Sequence, residues 1–241
     1  MIRQHKKMIL LTSIITLFPI FIGLLLWNQL PDSLATHWGI NNEPNGYASK
    51  TFAVFGLPLI MLLGHAVSVI AMNIDPKVKN ISEKVYFVIL WIIPLLSLFI
   101  CNVLYGYNLG FQLDMGLSLI HISEPTRRFI CNVLYGYNLG FQLDMGFLCG
   151  LMIGVFYLIL GNFIPKVKPN YTIGFRISWA LCDPENWYRT HRFGGKCMVI
   201  GGIIMIVTAP FQNMWILIAL ILVPCILPVI YSYLYYRKII S

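Results

Sequence analysis

Six apolar runs near the length of a bilayer crossing punctuate the chain, at residues 8–27, 52–72, 85–105, 147–164, 197–211 and 214–236. About 20 residues at 1.5 Å each cross roughly 30 Å of hydrocarbon, and the 197–211 run is the short one. Lipid offers backbone N–H and C=O groups no partners, so each run is expected to be a helix. The pattern predicts an all-α polytopic membrane protein with six transmembrane helices. Prolines at 19, 58, 94, 210, 224 and 228 mark kinks or span ends. Gly150-x-x-x-Gly154 suits close helix packing.

Two polar intervals are longer than a connector needs. Residues 162–196 read NFIPKVKPNYTIGFRISWALCDPENWYRTHRFGGK, basic and aromatic. Ile173, Phe175, Ile177, Trp179 and Leu181 alternate with Gly174, Arg176, Ser178 and Ala180, a period of two that predicts an extended segment. Asp183-Pro184 has the form of a helix N-cap followed by proline in the first turn. Beyond it Trp187 and His191 lie four apart, and Arg189, Arg192 and Lys196 make a cationic stripe on an amphipathic segment feeding span five. Two roles fit this segment: an interfacial helix over anionic lipid, or a docking surface for a partner. The first loop, residues 28–50, reads NQLPDSLATHWGINNEPNGYASK. Its Pro31-Asp32, Glu43-Pro44 and Asn45-Gly46 turn signals predict an ordered, folded-back loop, with Trp38 and Tyr47 as headgroup anchors. His37 with Glu43 lacks a third ligand for a metal site.

Composition agrees with the pattern: 58% of 241 residues are hydrophobic and 11% charged, with mean hydropathy +0.75, against roughly 25% charged in a soluble domain. The net charge of +8 is unevenly placed. Arg3, Lys6, Lys7, Lys77, Lys79, Lys84, the six basic residues of 162–196, Arg237 and Lys238 all fall on one side of an alternating six-span chain. Lys50, Arg127 and Arg128 fall on the other. The positive-inside rule then puts both termini and the large loop in the cytoplasm, and the first span reads as a retained helix rather than a cleaved signal. Charge scattered over four juxtamembrane sites argues against nucleic-acid binding. The six cysteines show no C-x-x-C or zinc spacing, and no cofactor is implied. His65 is the strongly polar residue inside a span; without a charged partner, a hydrogen bond to a neighbouring helix is the favoured role.

FICNVLYGYNLGFQLDMG at 99–116 returns unchanged at 129–146. An undiverged copy that starts inside a helix is unlike a structural repeat. The linker between the copies, LSLIHISEPTRR, reads like a translated sequencing adaptor, so 117–146 reads as an artefactual insert, the alternative being a genuine tandem duplication with an inserted linker. The domain division is therefore 1–116, an N-terminal membrane domain with its loop at 28–50, then the insert, then a C-terminal membrane domain at 147–241.

Two motifs carry a family resemblance. LPDSLATHWGINNEPNGYASK resembles an uncharacterised domain common at the N-terminus of small bacterial membrane proteins. Gly174-x-Arg176-x-x-Trp179-x-Leu181 with Trp187-x-x-Thr190-His191-Arg192-x-Gly194-Gly195-Lys196 resembles the sporulation-delaying-protein immunity family. Ala35 stands where a second proline is frequent in the family, and Ile177-Ser178 where Thr-Pro is favoured. The resemblance implies a multi-pass plasma-membrane protein that protects a bacterium from a secreted killing peptide and signals by holding a cytoplasmic transcriptional repressor at the membrane. It points to Gly174, Arg176, Trp179, Trp187, Thr190, His191, Arg192, Gly195 and Lys196 as the signalling surface. Pro31, His37, Trp38, Pro44, Gly46 and Lys50 mark the external loop. The competing readings are a small-solute transporter, which should show broken helices or a charged partner for His65, and a structural or lipid-binding membrane protein. No H-E-x-x-H, G-x-S-x-G or paired intramembrane Asp points to an enzyme.

Overall fold

A computed structural model describes residues 5–39, 43–109, 145–209 and 214–240. Its long helices are α1 (Lys6–Leu25), α2 (Leu57–Ile74, entered through a π-helical turn at Phe52–Gly56), α3 (Glu83–Asn108) and α4 (Met145–Phe163). After the short α5 (Ser178–Cys182) come α6 (Pro184–Thr208) and α7 (Met214–Ile240). Six of these stretches are long and apolar enough to cross a membrane. Side chains that a soluble protein would bury lie open on them, Leu63 and Val207 among others, as expected where lipid is the solvent.

The folded-back loop expected at 28–50 is an antiparallel hairpin of Ser33–Trp38 (β1) and Pro44–Ser49 (β2), so the described residues form six long helices plus a small sheet. Two sequence-based expectations need correction. The reading 173–181 as extended fails at its second half, which is the helix α5. The alternation there is coincidental, because Ile173, Ile177 and Leu181 also follow a spacing of four and pack on one cluster. The fifth crossing begins at Pro184 rather than 197, as one helix that carries the cationic stripe into the apolar run. Of the repeated segment, 99–109 lies in α3 and the turn after it; the insert and most of the second copy fall outside the described residues.

α1, α2 and α3 pack as one group, and α4, α6 and α7 as another. The first group is tied by hydroxyls. Thr12 Oγ1 meets His65 Nε2 at 3.0 Å, and Ser97 Oγ on α3 donates to the Thr16 carbonyl of α1 at 2.8 Å. This places His65 in the interhelix role expected of it, buried at 1% exposure. The second group uses small residues. A Cβ on Gly161 would sit 2.8 Å from the Gly195 carbonyl oxygen, and one on Gly202 would sit 2.7 Å from that of Gly154. The α4 and α6 backbones therefore touch along a seam, the packing anticipated for Gly150 and Gly154.

The hairpin caps one end of the first group. Leu30 and Leu34 are buried against Ala53, Val54, Leu104 and Tyr105, and Trp38 packs edge-on to Tyr107 at 4.9 Å. β1 would be left with an open edge, but the Asn108 side chain closes it. Its Oδ1 accepts from the Ala35 N–H at 2.7 Å, and its Nδ2 donates to the Ala35 carbonyl at 2.9 Å. Lys50, a basic residue on the sparsely charged side, is neutralised by Asp32 at 3.0 Å and also donates to the Trp27 carbonyl.

Asn108→Ala should destabilise the protein by about 1–3 kcal/mol, because it strands both polar groups of Ala35. The check is the denaturation midpoint in detergent. Asn108→Asp, which still accepts from the N–H but cannot donate, should fall between the two.

Candidate functional site

At the end of the molecule opposite the hairpin, the chain from α4 to α6 does not hang free. A 3-10 turn at Ile164–Lys166 ends α4, and the next dozen residues are pinned to both helical groups. Asn170 sets the local path: its Oδ1 accepts from the N–H groups of Thr172 and Ile173, and its Nδ2 donates to the Lys168 carbonyl. An Asn that satisfies three backbone groups at once fixes a tight turn. Gly174 then takes φ +103°, a conformation that favours glycine.

The tie to the first group runs through Asp75, at the C-terminal end of α2. Oδ1 accepts from the Lys77 N–H at 2.8 Å, and Oδ2 accepts from the Tyr171 N–H at 2.9 Å and the Thr172 hydroxyl at 2.6 Å. Burial alone would raise the pKa of this carboxyl. The hydrogen bonds from the Thr172 side chain and from the backbone of Lys77, Tyr171 and Thr172 outweigh it and hold the pKa below the ordinary value. Asn80 adds a second tie, donating to the Pro169 carbonyl at 2.6 Å.

The tie to the second group runs through α6. Asp183 caps that helix as expected, accepting from the N–H groups of Glu185 and Asn186. One turn in, the Trp187 indole N–H donates to the Val167 carbonyl at 2.8 Å. His191 stacks on Trp187 at 3.9 Å between ring centroids. Its Nδ1 donates to the Trp187 carbonyl, and its Nε2 accepts from the Phe175 N–H at 3.0 Å. That pair of partners fits only the neutral ring protonated on Nδ1. A β-carbon on Gly174 would fall onto His191 Nε2, so glycine is required there for space as well as for φ. Trp187 also belongs to a buried apolar cluster with Met72, Tyr86, Leu90, Val167 and Ala180, drawn from both helical groups. Behind it Asn186 accepts from Thr190 and Ser232 and donates to the Ser232 carbonyl, joining α6 to α7.

The residues singled out in the sequence thus divide into two sets. Trp187, Thr190, His191 and Gly195 are interior and Gly174 is half-buried against His191: they hold the loop or, for Gly195, admit Gly161 of α4. Arg176, Arg192 and Lys196 are exposed, and Trp179 is half-buried against Tyr233 and Tyr236. In the hairpin, His37 Nδ1 meets Asn45 Oδ1 at 2.5 Å, and Gly46 sits against the His37 β-carbon. Pro44 pairs with Trp38 in the strand register, while Pro31 is exposed just before β1. Asp75, Asn80, Asn170, Asn186 and Ser232 were missed. The one available signal was Asp75-Pro76, a turn pair directly after a span. Among the described residues no group of three or more His, Cys, Asp or Glu is placed to hold a metal ion.

Among the described residues, six apolar helices joined by a buried polar loop define a polytopic membrane protein whose basic end holds chain segments together. Residues 166–232 match the SdpI/YfhL protein family, and residues 14–62 match a domain of unknown function, DUF1648. The chain is similar to the immunity protein SdpI of Bacillus subtilis (strain 168), 24% identical over 238 residues that cover 95% of this chain and 96% of that protein. No solved structure matches. The SdpI/YfhL match falls on the loop and the last two long helices, and the similarity to the immunity protein runs along nearly the whole chain. The chain is a multi-pass bacterial plasma-membrane protein.

Two outcomes follow from this geometry. Gly174→Ala should cost about 1–3 kcal/mol through strain and should open the loop to protease at 171–183, while His191→Ala opens it without the strain. Because the folded pKa of Asp75 is depressed, its contribution to stability is complete above the unfolded value of about 3.9 and is lost as pH falls through the folded one. Thermal midpoints followed from about pH 6 to pH 3 should therefore drop more steeply for wild type than for Asp75→Asn.

Proposed function

We propose that this protein protects its bacterium against a secreted killing peptide and reports that peptide to a cytoplasmic transcriptional repressor. Both termini and the basic loop lie in the cytoplasm in this reading, from the distribution of Lys and Arg. The hairpin, with His37, Trp38 and the Asp32–Lys50 pair, then faces outward and is the first surface a peptide toxin meets. The observation that carries the reading is the Asp75 clamp, which joins the group bearing the hairpin to the loop of the SdpI-like half. A peptide that favours one packing of α1–α3 over another shifts Asp75, and with it Tyr171 and the residues around it.

The reporting patch lies on that clamp. Tyr171 is 49% exposed; the Lys77 ammonium sits 4.9 Å over its ring, and Arg176 donates to its carbonyl. Two cations beside an exposed aromatic ring suit an acidic face on a soluble partner. Protection and reporting are separable in this scheme, since the first uses the hairpin side and the second this patch.

Expression in a toxin-sensitive cell should restore survival in the presence of killing peptide. Equal killing with and without the protein would overturn the immunity role. Lys77→Ala with Arg176→Ala should leave survival intact and abolish membrane recruitment of the repressor, seen by fluorescence. Unchanged recruitment would refute the patch.

A further inference from the structure

A cleft of about 320 Å³ opens between α6 and α7 at the basic end, away from the loop clamp. Its floor is the Phe193–Tyr231 pair, stacked at 4.7 Å. Its rim is cationic: Arg189, Arg192 and Lys196 line it, with Glu185 as the acidic member. Arg189 is engaged by Glu185 at 2.7 Å and lies over the Tyr235 ring at 5.2 Å. Arg192 donates to the Tyr188 hydroxyl at 3.1 Å. Among the described residues neither Arg192 nor Lys196 has an acidic partner. Two exposed cations therefore converge on an aromatic floor with their charge uncompensated.

Depth decides what kind of anion reaches them. The part of α6 beyond Lys196, residues 197–208, rises only about 18 Å, against roughly 30 Å of hydrocarbon. Lys196 and Arg192 are therefore held at or below the level of the headgroups, where a bulky soluble protein does not reach. A charge at that depth snorkels, thins the bilayer locally, or draws an anion to itself. The surface below them is apolar along the same stripes. Ile200, Ile203 and Val207 continue the α6 face at 58%, 50% and 64% exposure, and Leu227 and Val223 continue the α7 face from Tyr231. A free phosphate ion would use the rim alone, whereas a phospholipid uses the rim and the stripe together.

We infer that this cleft is a binding site for the headgroup of an anionic phospholipid, its phosphodiester between Arg192 and Lys196 and its acyl chains along the α6–α7 stripe. Tyr188 and Tyr231 line the cleft and Tyr235 lies under Arg189, so tyrosine hydroxyls are at hand to donate to a polyol headgroup. The site goes beyond the immunity reading and does not depend on it: Arg176, Lys77 and Tyr171 are not among the residues that line it.

The test uses the full chain in nanodiscs of equimolar phosphatidylglycerol and phosphatidylcholine, with retained lipids counted by native mass spectrometry after detergent release. Wild type should retain phosphatidylglycerol selectively, and Arg192→Gln with Lys196→Gln should lower that retention about tenfold. Glu185→Gln, which removes the carboxylate at the rim, should raise it. Lys79→Gln with Lys84→Gln, an exposed basic pair outside the cleft, should leave it unchanged, and inorganic phosphate should not compete. Equal retention of the two lipids, or an equal loss in the Lys79/Lys84 variant, would overturn the site. So would competition by inorganic phosphate, or a double variant that keeps its lipid but loses a soluble partner.

Discussion

A carboxylate taken out of water must be met by donors, and at Asp75 every donor comes from Lys77 or from the loop at Tyr171 and Thr172. That requirement ties the end of α2 to a segment almost a hundred residues further along the chain. In lipid the hydrophobic effect does not press one helical group against another, because a lipid-facing Leu is as well solvated as a buried one. Polar contacts at the membrane edge must then set the arrangement. The Asp75 clamp, the Asn80–Pro169 bond and the Trp187–Val167 bond converge within one short stretch. Removing that stretch would leave two three-helix groups with few reasons to stay together.

Within each group a different device replaces hydrophobic association. α1, α2 and α3 use Thr12, Thr16, Ser97 and His65, whose hydrogen bonds cross between helices or turn back on them. α4 and α6 use glycine, so that backbones meet directly and dispersion does the work. The difference affects how each group can respond to a ligand. A glycine seam is a single tight fit, and displacing it loses many contacts together. A set of exchangeable hydroxyl bonds admits more than one arrangement at similar energy. The group tied by hydroxyls is the one that carries the hairpin.

The basic residues of the SdpI-like region, which read as one cluster in sequence, serve three ends. Arg176 lies on the clamp, Arg189 is held by Glu185 at the edge of a cleft between helices, and Arg192 with Lys196 line that cleft without an acidic partner among the described residues. Burial separates them from the aromatic and glycine residues interleaved among them. Trp187, Thr190 and His191 read as surface groups beside those cations, yet they are interior. Their side of α6 is the one turned towards α4, α7 and the loop.

The order of apolar runs by itself determined the number of long helices among the described residues and, except for the start of the fifth, their approximate ends. Lipid imposes one backbone solution on any long apolar run, whatever its neighbours. The Asp183 cap and the folded-back first loop were equally legible, being local chemistry with local consequences. The strand pairing at 33–49 was not, because β1 is stabilised by Asn108, far away in sequence. Nor was the helical turn at Ser178–Cys182, where period two and period four fit the same residues and packing chose between them. The partners of Asp75 and His191 lie beyond any spacing rule. Only tertiary structure decided which polar groups were taken from water, and a buried polar group takes whatever partner the fold brings to it.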